Sequence, residues 1–283
     1  MKAYADCIPC FLRQALEAAR MATDDEEVHE EVLRKVMEYL SSESLDKTPA
    51  ELSKKAHSIV KEITNCDDPY LKAKQRDNKT AKRLYPKVKR MITSSADPLL
   101  TAIKLAIAGN IIDLGVSSSY DVEKTMTNVL KTDFAIDEYK SLKKDLDKAE
   151  QVLYIGDNAG EIFFDKPLME YLSELGKKIV YAVRDEPIIN DATVEDAEFA
   201  GIEDVAKVIT AGGGASGAVL DLCSPEFVEC LRNAEVVISK GQGNYESLNE
   251  EQAYFLLIVK CKPIAKDLGV KVGDLVLKKG GKQ

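Results

Sequence analysis

Three oxygen-bearing side chains follow one short apolar segment near the middle of the chain. Residues 152–155 are Val-Leu-Tyr-Ile, a run typical of a strand that is buried on both faces. Gly156 ends this run, and Asp157, Asn158 and Glu161 come before a helical pattern begins. Carboxylate and amide oxygens suit hard divalent ions, and the start of a helix favours an anion. The segment therefore indicates a metal ion beside a phosphate ester, although ordinary helix capping would explain the same residues.

The strands that must position these side chains lie in the second half of the chain. After residue 150, short Val/Ile/Leu/Tyr-rich runs alternate with helical or glycine-rich segments, which is typical of a mostly parallel sheet. These runs are residues 178–183, 205–211, 234–240 and 254–259. A last run near the carboxyl terminus, VGDLVLKK, is expected to be an edge strand.

The first half of the chain has helical patterns instead. Apolar residues recur at helical spacing over residues 11–65, and residues 72–91 form a very basic helix or pair of helices, broken near Pro86. A solvated face explains this basic segment best, yet three of its residues could reach an anionic substrate: Lys74, Arg76 and Asn78. Residues 121–150 have a charged helical pattern that is expected to cover the surface.

A nearly all-apolar helix begins at Asp97-Pro98 and is expected to be buried. It contains Asn110 and Asp113, and buried polar side chains are unfavourable unless they are satisfied. These two residues therefore either hydrogen-bond the structure or bind substrate, and the sequence favours neither alternative.

The fold class that these patterns predict is α/β. We expect a helical amino-terminal region on a Rossmann-like, three-layer α/β/α domain with a mostly parallel sheet. The predicted domains are residues 1–95 and residues 96–283, with residues 96–150 as a helical connection.

Polar side chains should converge because the carboxyl ends of parallel strands meet at one edge of a sheet. The set Asp157, Asn158 and Asp191 could bind a metal ion and leave positions open for water and a phosphate oxygen. Arg184 and Lys240 could neutralise the phosphoryl oxygens, and Glu161 could orient or deprotonate water.

Two further motifs have open interpretations. Cys7 and Cys10 form a single CxxC that opens a helix, so a packing role is favoured over a redox or metal role. Residues 212–217, GGGASG, match the GxGxxG pattern but follow the third predicted strand rather than the first. We expect a flexible loop over the site that touches substrate.

Net charge and the distribution of apolar residues restrict the classes of partner that the protein can bind. The 283 residues carry a net charge of −9 without a long basic run, which argues against a nucleic-acid surface. No stretch of about 18 apolar residues could cross a membrane, and the amino terminus lacks a secretion-signal pattern. We therefore expect a cytoplasmic protein without nucleic-acid or membrane partners, and nothing in the sequence indicates its oligomeric state.

Seven motifs occur in order along nearly the whole chain: Cys7-Ile-Pro-Cys10, Asp68-Pro-Tyr70, Gly109-Asn-Ile-Ile-Asp113, Gly156-Asp-Asn-Ala-Gly-Glu161, Asn190-Asp-Ala-Thr193, Ser239-Lys-Gly-Gln-Gly243 and Lys266-Asp-Leu-Gly269. Together they resemble the damage-control phosphatase family, in its prokaryotic, CxxC-bearing branch. The resemblance implies a phosphatase that depends on Mn, Ni, Co or Mg and acts on small phosphorylated metabolites, such as sugar phosphates or nucleotides, often damaged ones. It also implies Asp157, Asn158 and Asp191 as metal ligands and Lys240 as the phosphate-binding lysine. The 212–217 loop departs from the pattern, which leaves the substrate open.

The leading hypothesis is accordingly a metal-dependent phosphomonoester phosphatase. The alternative is a non-catalytic module that binds a nucleotide or phosphometabolite, which predicts tight binding without turnover. A third hypothesis, a CxxC redox protein, predicts that replacing Cys7 and Cys10 abolishes function.

Overall fold

The computed structural model describes residues 1–110 and 119–281 of the chain. Asp113, one of the predicted substrate-binding residues, lies outside these ranges. Five helices occupy most of residues 7–109, as the apolar periodicity predicts: α1 (Cys7–Ala22), α2 (Glu26–Ser42), α3 (Pro49–Thr64), α4 (Leu71–Thr93) and α5 (Pro98–Gly109).

The helices α1, α2 and α3 pack around one apolar cluster that includes Phe11 and Val32. Reciprocal capping sets the start of α3. The Glu51 amide donates to Thr48 Oγ1 at 3.2 Å, and the Thr48 amide donates to the Glu51 carboxylate at 2.7 Å. The amino-terminal turns of α3 are thereby fixed beside the site described below.

The basic helix α4 is continuous, so the predicted break near Pro86 was wrong. Proline removes one backbone donor from a helix interior, but packing on both sides of Pro86 outweighs that loss. Ala81 lies before the proline, Val88 and Ile92 lie after it, and all three are buried in the core of the α/β part. The predicted division into residues 1–95 and 96–283 stays a prediction.

A seven-stranded sheet forms the centre of the described residues, and its strands are β1 (Phe134–Asp137), β2 (Gln151–Ile155), β3 (Lys178–Val183), β4 (Lys207–Thr210), β5 (Val236–Lys240), β6 (Tyr254–Ile258) and β7 (Leu275–Lys279). The strand order is β1-β7-β6-β5-β2-β3-β4. Every neighbouring pair is parallel except β6 and β7, which confirms the predicted α/β class with a mostly parallel sheet.

Two strand predictions were wrong. The charged segment 121–150 is not wholly helical, because β1 separates α6 (Ser119–Lys131) from α7 (Tyr139–Lys148). β1 is only four residues long and pairs with β7 from the far end of the chain, so local periodicity does not reveal it. β7 is also not an edge strand. It lies between β1 and β6, and Leu275 and Val276 are buried.

Helices cover both faces of the sheet: α8 (Ile162–Glu174), α9 (Val194–Ala200), α10 (Pro225–Asn233), α11 (Gly241–Leu248) and α12 (Lys262–Leu268). Successive residues of β2 point to opposite faces, as strand geometry requires. Tyr154 joins the core that contains α5 and α8, whereas Leu153 and Ile155 join the core that contains α10 and α12. The fold thus has three layers, and this explains why β2 is apolar throughout.

The order in which successive strands are added to the sheet reverses between β2 and β5. Strands β3 and β4 follow on one side of β2, whereas β6 lies beyond β5 on the other side. Open α/β sheets bind ligands outside the carboxyl ends of their strands at such a switch point. None of the helices in the described ranges has both the length and the apolar character needed to cross a membrane.

Candidate active site

The ends of the two switch-point strands meet at Asp157 and Lys240. Asp157 follows β2 after one glycine, and Lys240 is the last residue of β5. Gly241 comes next with a φ of +79°, and a Cβ atom there would collide with the Asp157 carboxylate. Only glycine therefore lets the start of α11 approach this carboxylate so closely.

Asp191 is held against Asn158 by the backbone of a neighbouring loop. The two residues form an isolated antiparallel bridge. The Ala192 amide donates to the Asp157 carbonyl, and the Ala159 amide donates to the Asn190 carbonyl, each at 2.8 Å. The structure thus brings together the three residues of the predicted metal set.

Arg184 lies behind Asp191 rather than in the open. Its Nε donates to Asp191 Oδ2, and its Nη2 donates to Asn244 Oδ1, both at 2.8 Å. The side chain is buried and does not line the cavity described below. The guanidinium thus orients Asp191, and the predicted contact of Arg184 with a phosphate stays a prediction.

Lys240 is also enclosed. Its Nζ donates to Glu161 Oε2 at 3.1 Å and to Asp165 Oδ1 at 2.7 Å, and its exposed fraction is 0%. The Tyr154 hydroxyl donates to the same Asp165 oxygen at 2.8 Å. Lys240 therefore contacts the Glu161 and Asp165 carboxylates inside the protein. Like Arg184, it does not line the cavity.

Asn110 hydrogen-bonds two carboxylates of the predicted site, and its contact with substrate stays a prediction. Its Nδ2 donates to Asp157 Oδ2 at 2.7 Å and also to Glu161 Oε1. Asn158 Nδ2 donates to the same two carboxylates, at 3.1 and 2.5 Å. Within the described residues, Asn110 Oδ1 is buried without a hydrogen-bond partner.

Buried acids outnumber buried bases at this edge of the sheet. Burial raises the pKa of Asp157, and the charges of Glu161 and Asp191 raise it further. Burial also raises the pKa of Asp191, against the effect of Arg184, and it raises the pKa of Asp165 to about 6. Burial alone would lower the pKa of Lys240, but the adjacent acids Asp165 and Glu161 raise it.

This excess of acid fits a divalent cation. Each raised pKa means that an ionised carboxylate lacks sufficient positive charge nearby, and a bound cation would supply it. Nowhere in residues 1–110 and 119–281 do three or more His, Cys, Asp or Glu side chains by themselves form an arrangement that could hold a metal ion. The set that fits therefore combines the carboxylates of Asp157 and Asp191 with the amide oxygen of Asn158, and water would complete the coordination.

A cavity of about 660 Å³ opens above these residues. Asp157, Asn158 and Asp191 line one part of it, and residues of α1 and α3 line another part, the helical wall. Ser53 on this wall is buried, and its Oγ has no hydrogen-bond partner in the described part of the chain. Lys260, which follows β6, also lines the cavity and lowers the pKa of Asp157 through its charge.

Several residues that shape the site are not among the candidates predicted from the sequence. Asp165 lies one helical turn after Glu161, so its spacing from a candidate residue was an available signal. Asn244 was visible only as part of a glycine-rich segment after β5. It accepts from Arg184 and donates to the carbonyls of Gly156 and Lys240, at 2.9 and 2.8 Å.

The three polar residues of α4 do not reach the cavity. Lys74 is buried and pairs with Asp68 at 3.0 Å and more loosely with Asp196, and Arg76 is exposed. Asn78 accepts a hydrogen bond from the Gly160 amide at 2.7 Å, so it supports the turn that carries the site. This geometry gives no support to their suggested contact with substrate, which stays a prediction.

The glycine-rich loop, residues 212–217, lies over the site. Lys54 on α3 donates to the Gly213 carbonyl at 2.6 Å, and Ser216 donates to Asp191 Oδ1 at 3.3 Å. The loop follows the edge strand β4 and does not open a helix, so it is not placed like a dinucleotide-binding turn. Its contact with substrate stays a prediction.

The two cysteines of the CxxC motif also line the cavity, at the start of α1. The fold brings Cys261 to the same wall, where its Sγ accepts from Gln242 Nε2 at 3.2 Å. All six cysteines are free. Burial raises the pKa of Cys7 and of Cys261, so both thiols stay protonated near neutral pH.

Fold and site together define a doubly wound α/β protein with an acidic centre at its switch point. Residues 3–276 match the family described as the damage-control phosphatase ARMT1-like domain. The chain belongs to this family, as the seven motifs indicate.

Proteins of three organisms illustrate the similarity. The uncharacterized protein MJ0202 of Methanocaldococcus jannaschii is 40% identical, over 99% of this chain and 96% of its own length. A damage-control phosphatase of Archaeoglobus fulgidus is 36% identical over 98% and 99% of the two chains. The crystal structure of PH1575, a DUF89 family protein of Pyrococcus horikoshii, superposes with a TM-score of 0.93 at 35% identity, over 99% of both chains.

Proposed function

We propose that this protein is a metal-dependent phosphatase that hydrolyses small phosphorylated metabolites and releases inorganic phosphate. The observation that carries the proposal is the excess of buried acids at the floor of an open cavity, with the pKa of Asp157 and of Asp191 raised by burial. A site of this kind binds a divalent cation and a phosphate together. Membership of a phosphatase family supports the same reaction class.

The residues assigned to the metal are Asp157, Asn158 and Asp191. A divalent ion in this set (Mn, Ni, Co or Mg) would polarise the phosphoryl group and supply a reactive water. Arg184 holds one oxygen of Asp191 at 2.8 Å, which leaves the other oxygen directed to Ser216 and the cavity. The arginine therefore orients a ligand and carries part of the positive charge near the phosphate.

Glu161 and Lys240 are assigned to the proton and charge steps. Glu161 lies four residues after Asp157, at the N-cap of α8, and would orient the attacking water and accept its proton. Lys240 contacts both Glu161 and Asp165, so its positive charge lies beside the two carboxylates and would offset the negative charge that builds during phosphoryl transfer. Asn110 fixes the Asp157 and Glu161 carboxylates relative to each other.

The cavity limits the substrate to a small metabolite. A volume of about 660 Å³ is in the range of small-molecule sites and is shared between the acidic floor and the helical wall. Sugar phosphates and nucleotides, including damaged forms, are the substrates to test first. The phosphoryl group would lie at Asp157, and the remainder of the molecule would lie towards α1 and α3.

Release of inorganic phosphate by metal-stripped protein tests the proposal. We expect turnover of at least one member of a panel of sugar phosphates, nucleotides and an aryl phosphate, after addition of Mn, Ni, Co or Mg. Asp157→Ala should lose this turnover by a factor of about 10³ or more, because it removes a metal ligand and a fixed charge. Asp46→Ala, which removes an exposed acid that does not line the cavity, is the matched control and should keep full activity.

Two outcomes would contradict the proposal. Full metal-dependent activity in Asp157→Ala would remove the assigned centre. Tight binding of a phosphorylated ligand without turnover under any of these conditions would favour the non-catalytic binding module.

A further inference from the structure

One residue of the metal-binding loop has a backbone conformation that its side chain disfavours. Among the non-glycine residues of the described ranges, Asn65 and Ile189 have a positive φ, at 49° and 47°. Asparagine tolerates this conformation, and Asn65 ends α3 in the usual way. A β-branched residue such as isoleucine rarely adopts it, because its Cβ crowds the following carbonyl.

The strain lies in a tight turn that leads to Asp191. The Asp191 amide donates to the Ile188 carbonyl at 3.0 Å, which closes a turn with Ile189 at its second position. Turns with a positive φ at this position normally use Gly, Asn or Asp. The backbone conformation of Ile189 determines where Asn190 and Asp191 contact residues 157–159, the loop that follows β2.

The side chain of Ile189 explains why the strain is tolerated. It packs against the apolar cluster of α1–α3, and every other described member of that cluster lies between residues 3 and 70. Beside it, Lys61 on α3 donates to the Pro187 carbonyl at 2.6 Å. The helical region therefore contacts the turn at two points: an apolar contact with the Ile189 side chain and a hydrogen bond to the Pro187 carbonyl.

We propose that Ile189 is a positioning residue for the metal centre: its anchorage in the helical cluster holds the strained turn that presents Asp191 to the ion. The inference rests on the proposed function, because it needs Asp191 as a ligand. It adds that the helical region sets the metal affinity without contributing a ligand itself. Strain of this kind persists where the surrounding structure over-determines a functional geometry.

Replacement of Ile189 separates positioning from stability. Ile189→Gly removes both the strain and the anchor, so we expect the affinity for Mn²⁺ to fall about tenfold or more while the melting temperature of the metal-free protein changes little. Ile189→Leu keeps an apolar anchor and should retain affinity close to that of the wild type. Asn65→Gly, the matched control, relaxes the other positive φ and should change neither quantity.

Calorimetric titration of Mn²⁺ into metal-free full-length protein gives the affinities, and a thermal melt of the same samples gives the stability. A purely structural role predicts that Ile189→Gly melts earlier and binds Mn²⁺ like the wild type, and this result would overturn the inference while leaving the proposed function standing. Failure of the wild type to bind Mn, Ni, Co or Mg would overturn both.

Discussion

The sheet edge and the helical wall of the cavity differ in how their acidic and polar side chains are paired, although Asn110 Oδ1 behind the sheet edge also lacks a partner within the described residues. At the sheet edge, the carboxylates of Asp157, Glu161 and Asp191 each accept at least one hydrogen bond from a fixed donor. On the helical wall, Ser53 Oγ has no hydrogen-bond partner within the described residues, and Cys10 Sγ accepts only a long hydrogen bond from Arg13 Nη2, at 3.7 Å, among the hydrogen bonds of those residues. One wall is organised before a ligand arrives, and the other leaves polar groups available to it.

This difference suggests a division of labour within one site. A preorganised network suits the chemistry that all substrates share, because fixed charges need no rearrangement during the reaction. Sparse pairing suits discrimination among substrates, because an unpaired buried group is satisfied only by a ligand with a matching partner. Changes at the sheet edge should therefore affect metal binding and turnover, and changes on the helical wall should affect the Michaelis constant.

Arg184→Lys gives the largest effect that we expect from a supporting residue at the sheet edge. Lysine lacks the fork that donates to Asp191 and Asn244 together, so Asp191 should lose its fixed orientation. We expect the affinity for Mn²⁺ to fall about 10- to 100-fold, as is usual when a residue that orients a ligand is removed. Calorimetric titration of metal-free protein measures this.

Arg34→Lys, on the exposed face of α2, is the matched control and should bind Mn²⁺ normally. Equal affinities in both variants would mean that the network around Asp191 does not organise the metal site.

Asp165→Asn tests the network at the sheet edge through the pH dependence of folding stability. The pKa of Asp165 is about 6 in the folded protein and lies above its ordinary value of 3.8. The folded state therefore binds a proton that the unfolded state has released, and stability falls as pH rises from about 4 to about 6. Asp165→Asn should remove this part of the loss in stability, on the order of 3 kcal/mol across the window.

Urea unfolding of metal-free protein at several pH values measures the free energy of unfolding. The informative quantity is the difference between Asp165→Asn and the wild type, which should shift in favour of the variant as pH rises. Asp204→Asn, at a largely exposed acid, should run parallel to the wild type at every pH. A parallel curve for Asp165→Asn would show that the network holds this carboxylate without an energetic penalty.

The parts of the site that lie at strand ends were predictable from the sequence. Asp157 and Lys240 each come at the end of a recognisable apolar run, and parallel strands bring such ends to one edge. The position of Asp191 followed from the same rule, because its loop leaves the neighbouring strand β3. Local pattern and sheet geometry sufficed for these residues.

The direction of side chains was not predictable, because it depends on partners distant in sequence. Arg184 turns away from the cavity because Asn244 accepts from it 60 residues later. Cys261 joins the wall of α1 only because the last helix of the fold returns to the first. The strain at Ile189 was also invisible, since nothing local marks an isoleucine for a positive φ.

Ser53→Ala tests whether the helical wall binds substrate. It should have the smallest effect of these substitutions. A buried hydroxyl without a partner in the described structure contributes little to stability, so its removal should leave the melting temperature unchanged or slightly higher. If the wall binds the substrate beyond its phosphate, loss of one hydrogen bond should raise the Michaelis constant about two- to tenfold with kcat unchanged. Steady-state kinetics on the best substrate of the phosphate-release panel measures both constants.

Ser58→Ala is the matched control for this change, because Ser58 lies on the exposed face of the same helix. An unchanged Michaelis constant in Ser53→Ala would contradict the role of the helical wall in discriminating among substrates. A fall in kcat with no change in the Michaelis constant would instead move Ser53 to the chemical step. Discrimination would then have to come from the cations that line the cavity, of which Lys260 lies close enough to lower the pKa of Asp157.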